Sequence, residues 1–109
     1  MSYKVETTSN FDREAKKLAK KYPSLKNDLA WLFNELETNP TMGTHIGSNI
    51  YKIRIAIQSK GKGKSGGARI MSYVKIVKQT VFLFSIYSKG EKDNISDREI
   101  LNLVKEIPL

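Results

Sequence analysis

The chain has no cysteine, one histidine, one tryptophan and three prolines in 109 residues. Without cysteine there is no disulfide framework, no thiol nucleophile and no thiolate metal site. The lone histidine, His45, sits in a Gly/Thr-rich loop with no second histidine at metal-ligand spacing, so a metal centre is not expected and His45 reads as a surface or turn residue. No apolar run is long enough to cross a bilayer, and the first residues lack the apolar stretch of a secretion signal. The expectation is one soluble, cytoplasmic domain over residues 1–109, with no membrane partner.

The most informative absence is of negative charge. From Thr38 to Gly90 there is no aspartate or glutamate, while nine lysines and arginines fall there. The rest of the chain carries ten bases against eleven acids, so the net charge of +8 belongs to this one segment. A basic surface without compensating acids suits a polyanion.

What is present follows two periods. Residues 3–7 alternate as a short strand. Phe11, Ala15, Leu18, Ala19 and Tyr22 then mark one face of a helix capped at Ser9 and halted at Pro23. Leu25, Leu29, Leu32, Phe33 and Leu36 repeat the spacing up to Asn39-Pro40, which predicts a helical hairpin. Strands are predicted at 51–57, 68–77 and 81–87, the last apolar on both faces and therefore central. The glycine- and lysine-rich stretch 59–67 reads as a mobile hairpin loop, and Ser96-Asp-Arg-Glu99 opens a final helix as a capping box. The order β-α-α-β-β-β-α gives an α+β domain with the helices on one face of a mainly antiparallel sheet.

Two chemical readings fail. A Walker A loop needs glycine five residues before Gly63-Lys64-Ser65, where Gln58 stands, and no helix follows. The Asn94-Ile95-Ser96 sequon is uninformative in a chain expected to stay in the cytoplasm. Lys52 and Arg54 are sharper. Two apart on one strand, roughly 7 Å by strand rise, they project from the face opposite Tyr51, Ile53 and Ile55. Arg69, Tyr73 and Lys75 on the next strand, with Tyr87, Lys89 and Lys92 at and after the last, extend a cationic face with aromatics among the bases. The basic hairpin tip with Lys62 and Lys64 suits tracking of a phosphate backbone.

Gly66-Gly67-Ala68-Arg69-Ile70, an apolar strand, and Tyr87-Ser-Lys-Gly-Glu-Lys-Asp-Asn-Ile-Ser96 before an acidic helix together resemble the RelE/ParE superfamily of bacterial toxins, nearest its HigB-like branch. The resemblance implies the toxin of a type II toxin–antitoxin pair, held inactive by a co-expressed antitoxin of helix-turn-helix type. It further implies a ribosome-dependent endoribonuclease that cuts mRNA with no metal or cofactor, by attack of a 2′-OH on its own 3′-phosphate. On that resemblance Lys52, Arg54, Arg69 and Lys89 are the catalytic positions, with Lys52 the favoured proton acceptor. Lys62, Lys64, Tyr73, Lys75, Tyr87 and Lys92 are the RNA-binding ones, Tyr73 or Tyr87 stacking on a base. The late aromatic that some members stack on the codon is absent here, where Asn94-Ile95-Ser96 stands. A ParE-like gyrase inhibitor and a non-catalytic basic RNA-binding protein are the alternatives.

Overall fold

The computed structural model describes residues 2–108. Strand β1 (Lys4–Thr7) leads into helices α1 (Ser9–Lys21) and α2 (Leu25–Thr38). Four strands follow: β2 (Thr44–Gly47), β3 (Ile50–Ile55), β4 (Ala68–Lys75) and β5 (Thr80–Ser88). Helix α3 (Asp97–Val104) ends the fold. The sheet runs β1-β5-β4-β3-β2, with β1 parallel to β5 and every other pair antiparallel. Among the described residues, no helix is long and apolar enough to cross a membrane.

The helical hairpin forms where the apolar spacing puts it, with one shift. Thr8, not Ser9, caps α1: its Oγ1 accepts from the Phe11 N–H at 3.2 Å. Phe11, Leu18, Leu25, Leu32 and Leu36 bury against Ile53, Ile55, Ile70, Val74, Val81, Leu83 and Ile86 on one sheet face. Strand β5 is buried along its whole length, as its two apolar faces require.

Three expectations are corrected. The helices do not share one face: α3 packs on the other, where Ile100, Leu103, Val104 and Ile107 join Ile50, Met71, Phe82, Phe84 and Tyr87 in a second core. The cationic face is therefore the remainder that α3 leaves uncovered. The stretch around His45 is the edge strand β2, turned into β3 by Ser48 and Asn49, both at positive φ (49° and 65°). Strand β4 stops at Lys75, short of the predicted residue 77, and Ile76 is exposed in a turn.

The segment expected to be a mobile tip is tied down at both ends. Gln58–Lys60 forms a 3-10 turn, and the Ser59 N–H donates to Ser24 Oγ at 2.8 Å. At the far end Gly67 is pressed against β3, where a Cβ on it would lie 2.0 Å from the Ile55 carbonyl oxygen. Its own carbonyl accepts from the Lys89 N–H at 2.9 Å. Gly67→Ala must part the strands to fit one methyl, at a cost of about 1–3 kcal/mol. Thermal melting is expected to show this as a clear loss, and an unchanged melting temperature would contradict the packing.

Candidate functional site

The strand register places the cations. Arg54 on β3 lies directly opposite Arg69 on β4, and Arg69 directly opposite Tyr87 on β5, so Arg54, Arg69 and Tyr87 form one row across the sheet. Lys52 stands in the adjoining row, opposite Met71. Like charges directly opposite one another destabilise an antiparallel pair. None of Lys52, Arg54 and Arg69 has a carboxylate partner among the described residues. A sheet that sets two arginines face to face without an acid has the charge to receive an anion.

Tyr87 reaches this row through an irregularity. The register shifts between Met71–Ser85 and Ser72–Leu83, leaving Phe84 as an extra residue in β5. Strict alternation from Val81 and Leu83 would turn residue 87 toward the helical hairpin. The bulge turns Ile86 that way instead and Tyr87 to the cations. Helix α1 holds the bulge. Glu14 Oε1 accepts from Ser85 Oγ at 2.9 Å, the Ile86 N–H at 3.2 Å and Asn10 Nδ2 at 2.8 Å, and Asn10 also donates to the Phe84 carbonyl at 3.0 Å. The sequence carried a signal for this: Glu14 is an acid within the apolar stripe of α1, between Phe11 and Leu18.

Arg69 is only 6% exposed, although alternation alone suggests a solvated side chain. Its guanidinium donates to the carbonyls of Lys64 at 2.9 Å and Ser65 at 3.1 Å, fixing both the loop and the fork. Burial, then Arg54, pushes its pKa below the ordinary arginine value; an arginine nonetheless remains a cation at neutral pH. Lys52 is half-buried and donates from Nζ to Asn94 Oδ1 at 3.1 Å. Burial first, then Arg54, Arg69 and Lys89, lowers its pKa from 10.5. An amine that is discouraged from charging and aimed by one hydrogen bond is suited to take a proton.

The remaining candidates separate. Lys89 is half-buried just beyond β5, facing the exposed Asp93 at 3.8 Å. Its backbone is braced by Lys60, whose Nζ donates to the Lys89 carbonyl at 2.7 Å and Ser88 Oγ at 2.9 Å. Lys92 pairs with Glu99 at 2.6 Å and lies 5.7 Å from the centre of the Tyr87 ring. Tyr87 is 5% exposed, so its ring offers no free surface for stacking. Tyr73 packs into the second core opposite Ile50 and Phe82, away from the arginine row. Lys75 is six residues from Arg69 along β4, about 20 Å by strand rise. Lys62 and Lys64 are exposed on the loop, where Lys64 contributes its carbonyl to Arg69 and, with Trp31, lines a surface hollow. His45 stacks at a tilt on Tyr51, ring centres 5.0 Å apart, on the opposite face from Lys52. No cluster of His, Cys, Asp or Glu fit to hold a metal occurs among the described residues. Asn94 and Glu14 are the site-shaping residues missing from the sequence expectations, and of the two only Glu14 left a signal in the pattern.

Solved structures share this fold. The chain superposes on a double arginine-to-alanine variant of the Escherichia coli RelE toxin in the free state with a TM-score of 0.65 at 20% identity, covering 99% of this chain and 100% of that one. It matches the intact E. coli RelBE toxin–antitoxin complex with a TM-score of 0.61 at 21% identity, covering 84% and 100%. For the RelBE toxin–antitoxin complex from Mycobacterium tuberculosis the values are 0.59 and 16%, covering 83% and 94%. At the level of sequence families, the model of the RelE toxin of the RelE/RelB toxin–antitoxin system matches residues 3–107, and the chain belongs to that family.

Proposed function

We propose that this protein, a single domain, is the toxin of a type II toxin–antitoxin pair and cleaves mRNA on the ribosome, in the bacterial cytoplasm, without a metal. The observation that supports this most is the acid-free row of Arg54 and Arg69 beside a lysine of lowered pKa. Lys52 takes the proton of the attacking 2′-OH. The 2′-oxygen then bonds to the adjacent phosphorus, the bond to the 5′-oxygen breaks, and a cyclic phosphate and a 5′-hydroxyl result. Arg54 and Arg69 hold the phosphate oxygens as negative charge grows on them, and Lys89 supplies the proton to the leaving oxygen. A gyrase poison has no use for a base set beside two phosphate clamps, so the ribonuclease is the better-supported reading. The Gly66-Gly67-Ala68-Arg69 segment further suggests the HigB-like branch.

The cations contact phosphates and offer little base readout. The ribosome, in this reading, supplies the ordered strand. The inhibiting partner is a co-expressed antitoxin, of the helix-turn-helix kind. Induced expression is expected to arrest bacterial growth and co-expression of the antitoxin to restore it. Purified toxin is expected to cut mRNA on programmed ribosomes at least about a hundredfold faster than naked RNA. Normal growth at confirmed soluble expression, or equal cleavage of naked RNA, would refute the reading.

A further inference from the structure

Tyr87 is out of place in an ordinary core. Its hydroxyl is fully buried and has no hydrogen-bond partner among the described residues. Burying a hydroxyl without a partner is costly, and a phenylalanine would fill the same ring volume without that cost. Tyr87 nonetheless stands at the end of the arginine row, paired in register with Arg69, and its presence there depends on a bulge that Glu14 and Asn10 hold. The groups that face it are the cations Arg69, Arg54 and Lys92 and the carboxylate Glu99. Burial raises its pKa above 10.0, so at neutral pH the phenol keeps its proton and is a donor. The ring is the wrong element for recognition, since Lys92 already lies over it.

We propose that the Tyr87 hydroxyl is a phosphate ligand: it donates a hydrogen bond to an oxygen of the RNA phosphate held by Arg54 and Arg69. The inference rests on the RNA-cleaving reading above and gives Tyr87 a specific role within it. In the free protein the Lys92 ammonium lies over the ring, 5.7 Å from its centre, and pairs with Glu99, and both side chains are partly exposed. An incoming phosphate competes with Glu99 for the Lys92 ammonium. Lys92 then moves from the ring toward the phosphate, and the hydroxyl meets its acceptor. The buried orphan is a cost of the free state that the substrate removes.

Tyr87→Phe tests this with three measurements on the whole protein. Its melting temperature is expected to equal or exceed that of the wild type, because a partnerless buried hydroxyl is removed. Its affinity for a single-stranded RNA carrying a 2′-deoxy group at the scissile position is expected to fall about 10- to 100-fold, the value of a hydrogen bond to a charged oxygen. Single-turnover cleavage on programmed ribosomes is expected to fall by at least as much. Unchanged binding and cleavage would overturn the proposal. So would a melting temperature lowered by several degrees, which would give the hydroxyl a structural partner instead. The deoxy RNA separates the two readings: if the wild type fails to cleave on ribosomes yet Tyr87→Phe weakens RNA binding, the ribonuclease falls and the phosphate contact stands.

Discussion

Arg69→Ala is expected to lower single-turnover mRNA cleavage by about 100- to 1,000-fold, the cost of removing a preorganised charge-assisted donor from a developing oxyanion. It is also expected to lower the melting temperature, because the same guanidinium ties down the carbonyls of Lys64 and Ser65. Both residues are exposed, so water replaces the lost donors and the penalty sits near the low end, about 1 kcal/mol, or a few degrees for a domain of this size. Arg69→Lys separates the two roles. A single ammonium keeps the positive charge but cannot reach two loop carbonyls and present a fork to phosphate together. Cleavage by Arg69→Lys is expected to stay at least about tenfold below wild type even where the melting temperature recovers. If Arg69→Ala melts low and cleaves at the wild-type rate, the residue is a loop anchor alone.

That double role marks the limit of what alternation reveals. The 3.6-residue spacing of α1 and α2, stopped by Pro23 and Pro40, located the hairpin because those helices bury a single stripe on the sheet. Strand β5 was legible for the opposite reason, since burial on both faces leaves an unbroken apolar run. Strand β2 was not. It is four residues on a sheet edge, three of them exposed, with no apolar alternation, and only the Ser48-Asn49 pair, both residues at positive φ, signalled the turn that makes it a strand.

For the site, period two assigned Lys52, Arg54, Arg69, Tyr73 and Lys75 to one face correctly, but a face is not a place. Position along a strand decides which residues meet, and the register sends Tyr73 under α3 and Lys75 to the far end. Tyr87 joins the cations only through the β5 bulge, which follows no repeat. Its signal was indirect, an acid in the apolar stripe of α1 that had to be answered by something buried. Asn94 was invisible for a simpler reason. It lies outside any element, and its contact with Lys52 spans forty-two positions of sequence.

Lys52 gives the site a pH dependence whose direction is fixed. Burial and the neighbouring cations favour its neutral form, so its folded pKa lies below the 10.5 of a free lysine. Cleavage that needs the neutral amine rises by about tenfold per pH unit below that pKa and levels off before 10.5 is reached. Stability moves the same way. Between the folded and unfolded pKa values the unfolded chain binds more protons than the native one, so stability gained at high pH is lost as pH falls through the folded pKa. Single-turnover rates on intact ribosomes and melting temperatures, both followed from pH 6 upward (the lower end of the range set by about four units below a free lysine), test the two trends together. Lys52→Arg keeps a cation at the position and removes the titration, so its residual cleavage is expected to be at least about a hundredfold lower and flat with pH. Lys52→Met removes the charge as well, and is expected to flatten the rise in stability while relieving Arg54 and Arg69 of a like-charged neighbour. Asn94→Ala leaves the amine in place without the acceptor that aims it, and is expected to lower the rate without moving the flat region far. A steep pH dependence retained in Lys52→Arg would assign the proton transfer to another group, and Lys89, the remaining lysine beside the arginine row, would then be the residue to replace.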